Sequence, residues 1–417
     1  MVIAGIVIVV ATFIAIIKQF ETRLVLLLSG LLMCFIGGQI GAGTTAFVKE
    51  LTNPGLVPTI CTVLGFSYVM EYTKCTEHMV YFISAGLKKM TKIIIPGAVI
   101  ITFLINIALP TAAGCAAAVG ALLIPALIRS GVHPAMAGSA IFLGTWGSAL
   151  SPGLMFNPQV AQLAGEDVMT VIASFSMQAI IGIVVAAILL NIVAIVKKEH
   201  TGYVLKDGNE EEGKEFKVNY LYAIIPIIPL VLLVLGSKQV AVIPEISVPV
   251  SMLIGTAIGI IAVRPNVTEA VKKFFRGTGD GMCDVVGLMA AAAAFTAGMQ
   301  YIGLTNALID GMKNSQQIAQ IGAAFGPFLL AVISGSGNAA ALAFNGAVTP
   351  HAADFGYGIM QLGSMAQLGA GIGRSMSPVA GAGIIIAGLA GINPMEMAKR
   401  NAVPCIIATV VIMLLLL

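Results

Sequence analysis

Apolar segments long enough to cross a bilayer follow one another along almost the whole chain. A membrane-spanning helix needs roughly 20 mostly apolar residues. Only 10% of the 417 residues are charged and 58% are hydrophobic, whereas about a quarter of a soluble domain is charged. The sequence therefore predicts an all-α polytopic membrane protein. Uninterrupted spans are expected near 2–17, 23–41, 55–73, 170–196, 219–236, 248–263, 281–303 and 395–416.

Two further apolar segments are interrupted near their middle, and the lengths of their two arms do not fit a full membrane crossing. Residues 93–128 break at Pro110–Gly114, and residues 317–350 break at Ser334–Asn338. We expect each to form a re-entrant helical hairpin whose tip lies inside the membrane, because irregular backbone at that depth must be buried in protein or line a wet cavity.

Two longer segments, 134–165 and 357–391, are also broken, at Gly147–Gly153 and Gly369–Pro378. Three glycines between 369 and 373, followed by a proline, disfavour a regular helix. We therefore expect each segment to be a discontinuous crossing, with the second interrupted from Gly369 onward.

The two halves of the chain resemble each other on either side of a hydrophilic linker, 197–218. Gly147–Pro152 aligns with Gly373–Pro378, 226 residues later, and Leu163–Gly165 recurs at the same offset. Each half contains five crossings and one hairpin, and an odd number of crossings inverts the second half relative to the first. The sequence thus predicts two inverted repeats, with about ten transmembrane helices and two re-entrant hairpins.

The basic residues favour one orientation in the membrane. With the N-terminus outside, 18 of the 22 lysines and arginines fall in cytoplasmic segments, and only Lys49, Lys238 and Lys313 lie in outer loops. This distribution follows the positive-inside rule. We expect a multi-pass protein of the bacterial inner (cytoplasmic) membrane.

The remaining basic residue, Arg374, lies within an apolar segment. A guanidinium at the bilayer centre costs ~2.5–3.5 kcal/mol on insertion scales, so it usually faces a partner or a ligand. An ion pair with a carboxylate on a neighbouring helix is one interpretation. A binding site for an anion is the other, and it is favoured because broken helices also present free N–H groups with a positive dipole end. Inverted repeats with discontinuous helices are typical of secondary transporters.

The tip of the second hairpin carries small polar residues that suit an anion. Ser334, Ser336 and Asn338 can donate hydrogen bonds to carboxylate oxygens. Gly335 and Gly337 let the backbone approach a ligand, although small residues at a tip also serve close helix packing. Thr111 occupies the equivalent position in the first hairpin.

Three motifs of the second half resemble one transporter family. They are Ser334–Ala339, Gly373–Val379 and Pro394–Arg400, and Gly281–Asp284 adds to them. These segments look like those of the DcuC-type anaerobic C4-dicarboxylate carriers, which belong to the ion transporter superfamily. Pro110–Gly114 and Ser151–Asn157 depart from the patterns of that family.

The resemblance implies a homodimer that works by an elevator mechanism. Residues 1–90 and 219–303 would form the scaffold, and residues 93–196 and 317–417 the moving transport domain. Arg374 would pair with one substrate carboxylate, and Ser336 and Asn338 would hold the other. Thr111, Ser148 and Ser377 would line the site, and Ser375 and Asn157 are further candidates.

Ion coupling has fewer candidates in the sequence. Glu71, at the end of the third span, could titrate, and a snorkelling role at the interface is the alternative. Asp284 begins a span together with Asp280, where surface exposure is the alternative. No cofactor or metal is expected, and a coupling cation, sodium or a proton, is left open.

Three functions compete. The first is transport of small dicarboxylates such as succinate or fumarate, by exchange or ion-coupled transport. The second is transport of another organic anion: a hydroxy acid, a tricarboxylate or an acidic amino acid. A cation–proton exchanger would need aspartates in the broken helices, where this chain has serine, glycine and arginine. We expect no enzymatic activity and no nucleic-acid partner.

Overall fold

The computed structural model describes residues 1–18, 20–84, 93–154, 156–204, 217–238, 240–307 and 316–417, and every regular element in these ranges is a helix. Residues 85–92 and part of the linker 197–218 lie outside the described residues, as do the basic residues Lys88, Lys89, Lys92, Lys206, Lys214 and Lys313.

The first half begins with five helices: α1 Val2–Ile17, α2 Thr22–Ile36, α3 Ile40–Leu51, α4 Val57–Tyr72 and α5 Cys75–Ser84. The hairpin helices are α6 Ile94–Ala108 and α7 Ala112–Arg129. The interrupted segment consists of α8 Pro134–Gly144, a 3-10 turn at Gly147–Leu150, and α9 Phe156–Ala164; α10 then spans Val168–Val196.

The second half begins with α11 Tyr220–Ile224, a 3-10 turn at Ile225–Ile227, α12 Ile228–Leu235 and α13 Val248–Val263. α14 Val267–Asp280 runs through a π-helical segment, Gly281–Val286, into α15 Gly287–Tyr301. The second hairpin pairs α16 Gln316–Ser334 with α17 Gly337–Ala347, and a 3-10 segment, Thr349–Phe355, follows. The chain ends with α18 Ile359–Arg374, α19 Gly381–Ala390 and α20 Pro394–Leu416.

The chain is a helical membrane protein. Among the described residues, five helical runs are long and apolar enough to cross a bilayer by length and composition. They are Ala112–Arg129, Val168–Val196, Val267–Tyr301, Gln317–Ser334 and Pro394–Leu416. Six shorter apolar helical stretches accompany them.

Three clusters of buried apolar side chains hold these helices together. The largest is built mainly from α6–α10 with α16 and α18–α20. The second joins α1, α2, α15 and α17, and the third joins α4 with α11–α13. The helix α17 therefore packs at the border between the first two clusters. The predicted boundary between scaffold and transport domain lies near this border between the clusters. The division into two domains stays a prediction.

The interrupted segments of the two halves pack in the same way. A Cβ atom on Gly147 would lie 2.1 Å from the carbonyl oxygen of Phe103 on α6, and one on Gly373 would lie 2.3 Å from that of Phe328 on α16. The two glycines are 226 positions apart and the two phenylalanines 225. The starts of α9 and α10 likewise recur at α19 and α20 at offsets of 225 and 226. The inverted direction of the second half stays a prediction.

The expected interruption at Gly369 is wrong in its position. α18 continues as a regular helix through Gly369, Gly371 and Gly373 and ends at Arg374. Cβ atoms on Gly369 and Gly373 would clash with carbonyl oxygens of α16, each 2.3 Å away. These glycines therefore allow two helices to touch, as small residues do in membranes, and the chain leaves the helix only after Arg374.

Two further differences concern the scaffold helices. The span expected at 23–41 is shorter, because α2 ends at Ile36, and a separate helix α3 covers Ile40–Leu51. The span expected at 281–303 begins earlier, because α14, the π-helical segment and α15 form one continuous run from Val267 to Tyr301. No proline lies between these residues, so nothing forces the helix to stop where the polar segment meets the apolar one.

Candidate functional site

The hairpin tips and the interrupted segments surround one cavity of about 550 Å³. This volume lies in the range of ~300–1,000 Å³ typical of small-molecule sites. The first tip contributes Pro110–Ala113, and the second contributes Gly335–Asn338. Residues of α4 and of the α14–α15 run also line the cavity.

Most of the residues that the sequence predicted for the site line this cavity. They are Arg374, Ser336, Asn338, Gly335, Gly337, Thr111, Ser148, Glu71 and Asp284. Four others, Ser334, Ser375, Ser377 and Asn157, are not among the lining residues. The structure thus brings together a cation, two tips and two carboxylates that are far apart in sequence.

Arg374 ends α18 and is half-buried at the cavity wall. Its Nη2 donates a hydrogen bond to the carbonyl oxygen of Thr145, 2.7 Å away. In the described part of the chain no carboxylate lies within salt-bridge distance of this guanidinium. The alternative of an arginine neutralised by a neighbouring helix is therefore not supported, and the remaining N–H groups are available to a ligand.

The second tip is a sharp turn that depends on Gly335. This residue has a φ of +74°, and a Cβ on it would lie 2.9 Å from the backbone nitrogen of Ala380. The hydroxyl of Ser336 caps α17 by accepting a hydrogen bond from the backbone N–H of Ala339. Asn338, in the first turn of α17, is half-buried and makes no side-chain hydrogen bond within the described ranges. Its amide is free to bind a ligand.

The first tip presents fewer polar groups. Thr111 precedes α7 and is exposed in the cavity, and its side chain does not cap the helix. Ser148 is buried, and its backbone N–H donates to Oδ1 of Asn106, 2.7 Å away. Asn106 therefore fixes the interrupted segment to the hairpin, and the Ser148 hydroxyl stays at the cavity wall.

The three predicted serines outside the cavity wall bind their own backbone. Ser334 Oγ donates to the carbonyl oxygen of Leu330 at the end of α16. Ser375 Oγ donates to the carbonyl oxygen of Gly371, and Ser377 Oγ accepts from the N–H of Val379. These contacts shape the turns that position Arg374 and the tip.

Three helices begin at the cavity with their N-terminal residues in its wall. They are α7 at Ala112, α17 at Gly337 and α19 at Gly381. Neither α7 nor α19 has a side-chain cap. Free N–H groups and the positive ends of the helix dipoles favour an anion at such positions. Together with Arg374 they make this side of the cavity electropositive.

Three carboxylates also line the cavity. Glu71 is exposed at the end of α4, and Asp280 accepts a hydrogen bond from the hydroxyl of Tyr68, 2.6 Å away. Asp284 lies in the π-helical segment, 3.3 Å from a guanidinium nitrogen of Arg23. The predicted ion-coupling residues Glu71 and Asp284 therefore share the cavity with Arg374 and with the two tips.

Trp146 and Gln367 are among the side chains of the cavity wall that sequence reasoning missed. Both are 1% exposed. Gln367 Nε2 donates to Oδ1 of Asn157, whose own amide nitrogen donates to the carbonyl oxygens of Ala149 and Ser151. The signal was present, because polar amides inside apolar segments are rare and mark functional sites, and Trp146 is the single tryptophan.

Comparison with known proteins decides the family. The family described as DcuC, C4-dicarboxylate anaerobic carrier, matches residues 2–417. The chain belongs to this family. The anaerobic C4-dicarboxylate transporter DcuC of Escherichia coli K12 is 26% identical over 442 residues, which covers 98% of this chain and 94% of that protein.

Two more comparisons extend this result. A protein of Haemophilus influenzae described as a putative uncharacterized transporter is 38% identical over 278 residues, covering 64% of this chain and all of that sequence. The YdaH transporter of Alcanivorax borkumensis, a crystal structure described as having an unusual topology, superposes with a TM-score of 0.61 at 13% identity. That alignment covers 89% of this chain and 87% of the YdaH chain. The chain is thus a DcuC-family membrane protein with the fold of a transporter.

Proposed function

We propose that this DcuC-family protein is a secondary active transporter of small dicarboxylates, such as succinate or fumarate, and that the cavity around Arg374 is its substrate site. The observation that carries the proposal is a guanidinium without an acidic partner in the described chain, in a cavity where three helices begin. The relatives named as C4-dicarboxylate transporters support the same substrate class.

The two ends of a dicarboxylate find different partners in this cavity. Arg374 offers a planar fork of N–H donors, which suits a carboxylate better than a point charge does. The free amide of Asn338 and the N–H groups at the start of α17 receive the second carboxylate. Thr111 and Ser148 line the space between the tips. Charge-assisted hydrogen bonds of this kind replace the water that the dianion loses on entry.

Coupling to a cation is proposed at the acidic side of the cavity. Glu71, Asp280 and Asp284 line the same cavity as Arg374, so a cation bound by these carboxylates would offset part of the negative charge of the substrate and of the carboxylates themselves. Sodium and protons are both compatible with carboxylate ligands, and exchange without a coupling ion is the third mode. The transport assay below separates these modes.

The contact between α15 of the scaffold and α17 of the transport domain supports a movement of the second domain against the first. Alanines of both helices, Ala291 and Ala292 of α15 and Ala340 and Ala341 of α17, are buried in one apolar cluster, and small side chains of this kind interlock little. A second cavity, of about 440 Å³, lies at the same contact and is lined by residues of α3, α9, α15 and α17. We propose that α17 slides past α15 as the tips carry substrate between the two sides, in an elevator mechanism. The homodimer and the outside N-terminus remain predictions.

Uptake of labelled succinate into proteoliposomes that contain the purified full chain tests this function. The sodium gradient and the pH gradient are varied separately, and fumarate, malate, aspartate, citrate and a monocarboxylate compete. We expect saturable uptake that only C4 dicarboxylates inhibit strongly. Uptake that is insensitive to all dicarboxylates would exclude the proposed substrate class. Dependence on one gradient, or on internal dicarboxylate alone, assigns the coupling mode.

A further inference from the structure

Asn401 on α20 connects the two helices that meet at Arg374. This asparagine is 0% exposed and is the eighth residue of α20. Its amide nitrogen Nδ2 lies 2.9 Å from the carbonyl oxygen of Ser375 and 3.3 Å from that of Ser139. Since both neighbours are acceptors, this atom must be the nitrogen, and one side-chain amide donates to both of them.

The two carbonyl groups belong to the two partners in the contact that holds Arg374. Ser375 directly follows Arg374, where the chain leaves α18. Ser139 lies in α8, which ends one residue before Thr145, and the carbonyl oxygen of Thr145 accepts from the guanidinium. Asn401 therefore connects the backbone that carries the guanidinium to the helix that carries its acceptor.

Close packing between α8 and α20 keeps this connection in place. A Cβ on Gly138 of α8 would lie 3.0 Å from Sδ of Met397, which precedes Asn401 by one turn of α20 and is fully buried. Close-packed interiors transmit small shifts instead of absorbing them. Loss of the amide of Asn401 would therefore be felt at the contact between Arg374 and Thr145.

The first half of the chain has other residues at the corresponding positions. α10 is the counterpart of α20, 226 residues earlier, and its eighth residue is the buried Phe175. At the same offset, Ser148 takes the place of Arg374. A buried amide in an apolar helix costs free energy unless it is hydrogen-bonded. The half with the cation carries this amide and the other half carries an apolar ring, which links Asn401 to the cation.

We propose that Asn401 is a positioning residue, which fixes the direction in which the guanidinium of Arg374 meets the substrate carboxylate. This inference rests on the proposed function. A guanidinium binds a carboxylate through two parallel N–H groups only when its plane is held in one orientation. Asn401 fixes the backbone on both sides of the bond to Thr145. It acts through Arg374, since it is fully buried and is not among the residues that line the cavity.

Calorimetry with succinate on the purified full chain tests the inference. We expect Asn401→Ala to weaken binding roughly tenfold, because a misdirected fork loses one hydrogen bond to a charged group. The thermal midpoint of each variant shows that it is folded. Asn401→Ser carries the same test if Asn401→Ala does not fold, since a serine hydroxyl donates to only one of the two carbonyl groups.

The matched control is Asn345→Ala. Asn345 is also a fully buried asparagine, and its Nδ2 donates to the carbonyl oxygen of Gly363 on α18, 11 residues before Arg374. It does not line the cavity. This variant removes a buried amide from the same helix contact region and should keep the wild-type affinity for succinate.

Two variant backgrounds separate positioning from a general loss of structure. In Arg374→Lys the planar fork is already absent, so adding Asn401→Ala should change the affinity less than about threefold. In Asn338→Ala the fork is intact, so adding Asn401→Ala should weaken binding by the full factor of roughly ten. A merely structural role would lower the affinity by the same factor in both backgrounds and in the wild type.

That equal factor would overturn the inference, and so would wild-type affinity in Asn401→Ala while Arg374→Lys binds weakly. Either result leaves the proposed function standing. Absence of succinate binding by the wild type, or wild-type affinity in Arg374→Lys, would overturn the proposed substrate site, and this inference with it.

Discussion

The Nη2 atom of Arg374 lies 2.7 Å from the carbonyl oxygen of Thr145. Arg374, the last residue of α18, is thus anchored by the backbone just after α8. In the first half of the chain, α8 is the helix that corresponds to α18. A neutral carbonyl orients the guanidinium without neutralising it. The charge is therefore positioned and still available, which is what a substrate site for an anion requires.

Arg374→Ala should reduce transport of dicarboxylates by roughly 100-fold or more, because removing one partner of a buried charge pair costs about 2–5 kcal/mol. Arg374→Lys should retain weak transport, since it keeps the charge and loses the fork. Initial uptake rates in proteoliposomes give the comparison. The control is Arg129→Ala, an exposed arginine at the end of α7, which should transport normally. Wild-type kinetics in Arg374→Ala would remove the assignment of the anion site.

Asn338→Ala should weaken dicarboxylate binding roughly 10- to 150-fold, in line with ~1.5–3 kcal/mol for a hydrogen bond to a charged group. Asn338→Asp should weaken it further, because it adds a negative charge opposite the substrate carboxylate. Calorimetry on the purified variants measures this order. Unchanged affinity in Asn338→Ala would show that the free amide does not contact the substrate.

The sequence predicted the spans best where length alone decides them. α10, α13 and α20 begin and end within two residues of the expected bounds, because a bilayer imposes a minimum apolar length. It failed at Gly369–Gly373, where the pattern of glycines suits a broken helix and a close helix contact equally well. The deciding fact is the backbone of α16 against these glycines, and it lies about 45 residues away in the chain.

The sequence predicted the arginine and the polar tip of the site, but it did not predict the buried hydrogen bonds behind them. Arg374 and the second tip stand out locally, because charged and polar side chains are rare in membrane-spanning segments. The pairing of Gln367 with Asn157 joins residues 210 positions apart, so no local pattern shows it. The hydroxyls of Ser334, Ser375 and Ser377 were expected at the site, yet the structure pairs them with nearby backbone atoms, which is the usual alternative for serine at helix ends.

Arg400→Met should lower the thermal midpoint markedly. The Arg400 side chain is 6% exposed and forms a bidentate pair with Glu199, which is 15% exposed. Removing one partner leaves a largely buried carboxylate unpaired, at a cost of about 3–5 kcal/mol. The exposed pair of Lys272 and Glu269 is the control, and Lys272→Met should leave the midpoint nearly unchanged. Equal effects of the two variants would show that the Glu199 pair contributes no more than a surface pair.

Asp167 should make stability sensitive to acid. Burial raises the pKa of this carboxyl, but hydrogen bonds from Thr170 and the ammonium of Lys238, 3.0 Å away, hold the pKa below its usual value of 3.8. A lowered pKa in the folded state stabilises the protein above pH 3.8, and this contribution is lost as the pH falls below that value. Asp167→Asn keeps the helix cap, so its thermal midpoint should fall less than that of the wild type between pH 6 and pH 3. An equal fall of the thermal midpoint in Asp167→Asn and in the wild type would contradict a lowered pKa of Asp167 in the folded protein.

A disulfide between α15 and α17 should stop transport without preventing substrate binding. A Cβ on Gly346 would lie 3.6 Å from the Cβ of Thr296, within the ~3.5–4.5 Å that a disulfide needs. We expect oxidised Thr296→Cys/Gly346→Cys, made with the exposed Cys283 replaced by serine, to lose uptake and to recover it on reduction. The control is Gly43→Cys, whose Cβ would lie 3.7 Å from that of the native Cys34. That disulfide joins α2 to α3, which do not move relative to each other in the proposed mechanism, so it should leave uptake intact. Full uptake by completely cross-linked Thr296→Cys/Gly346→Cys would exclude sliding of α17 past α15.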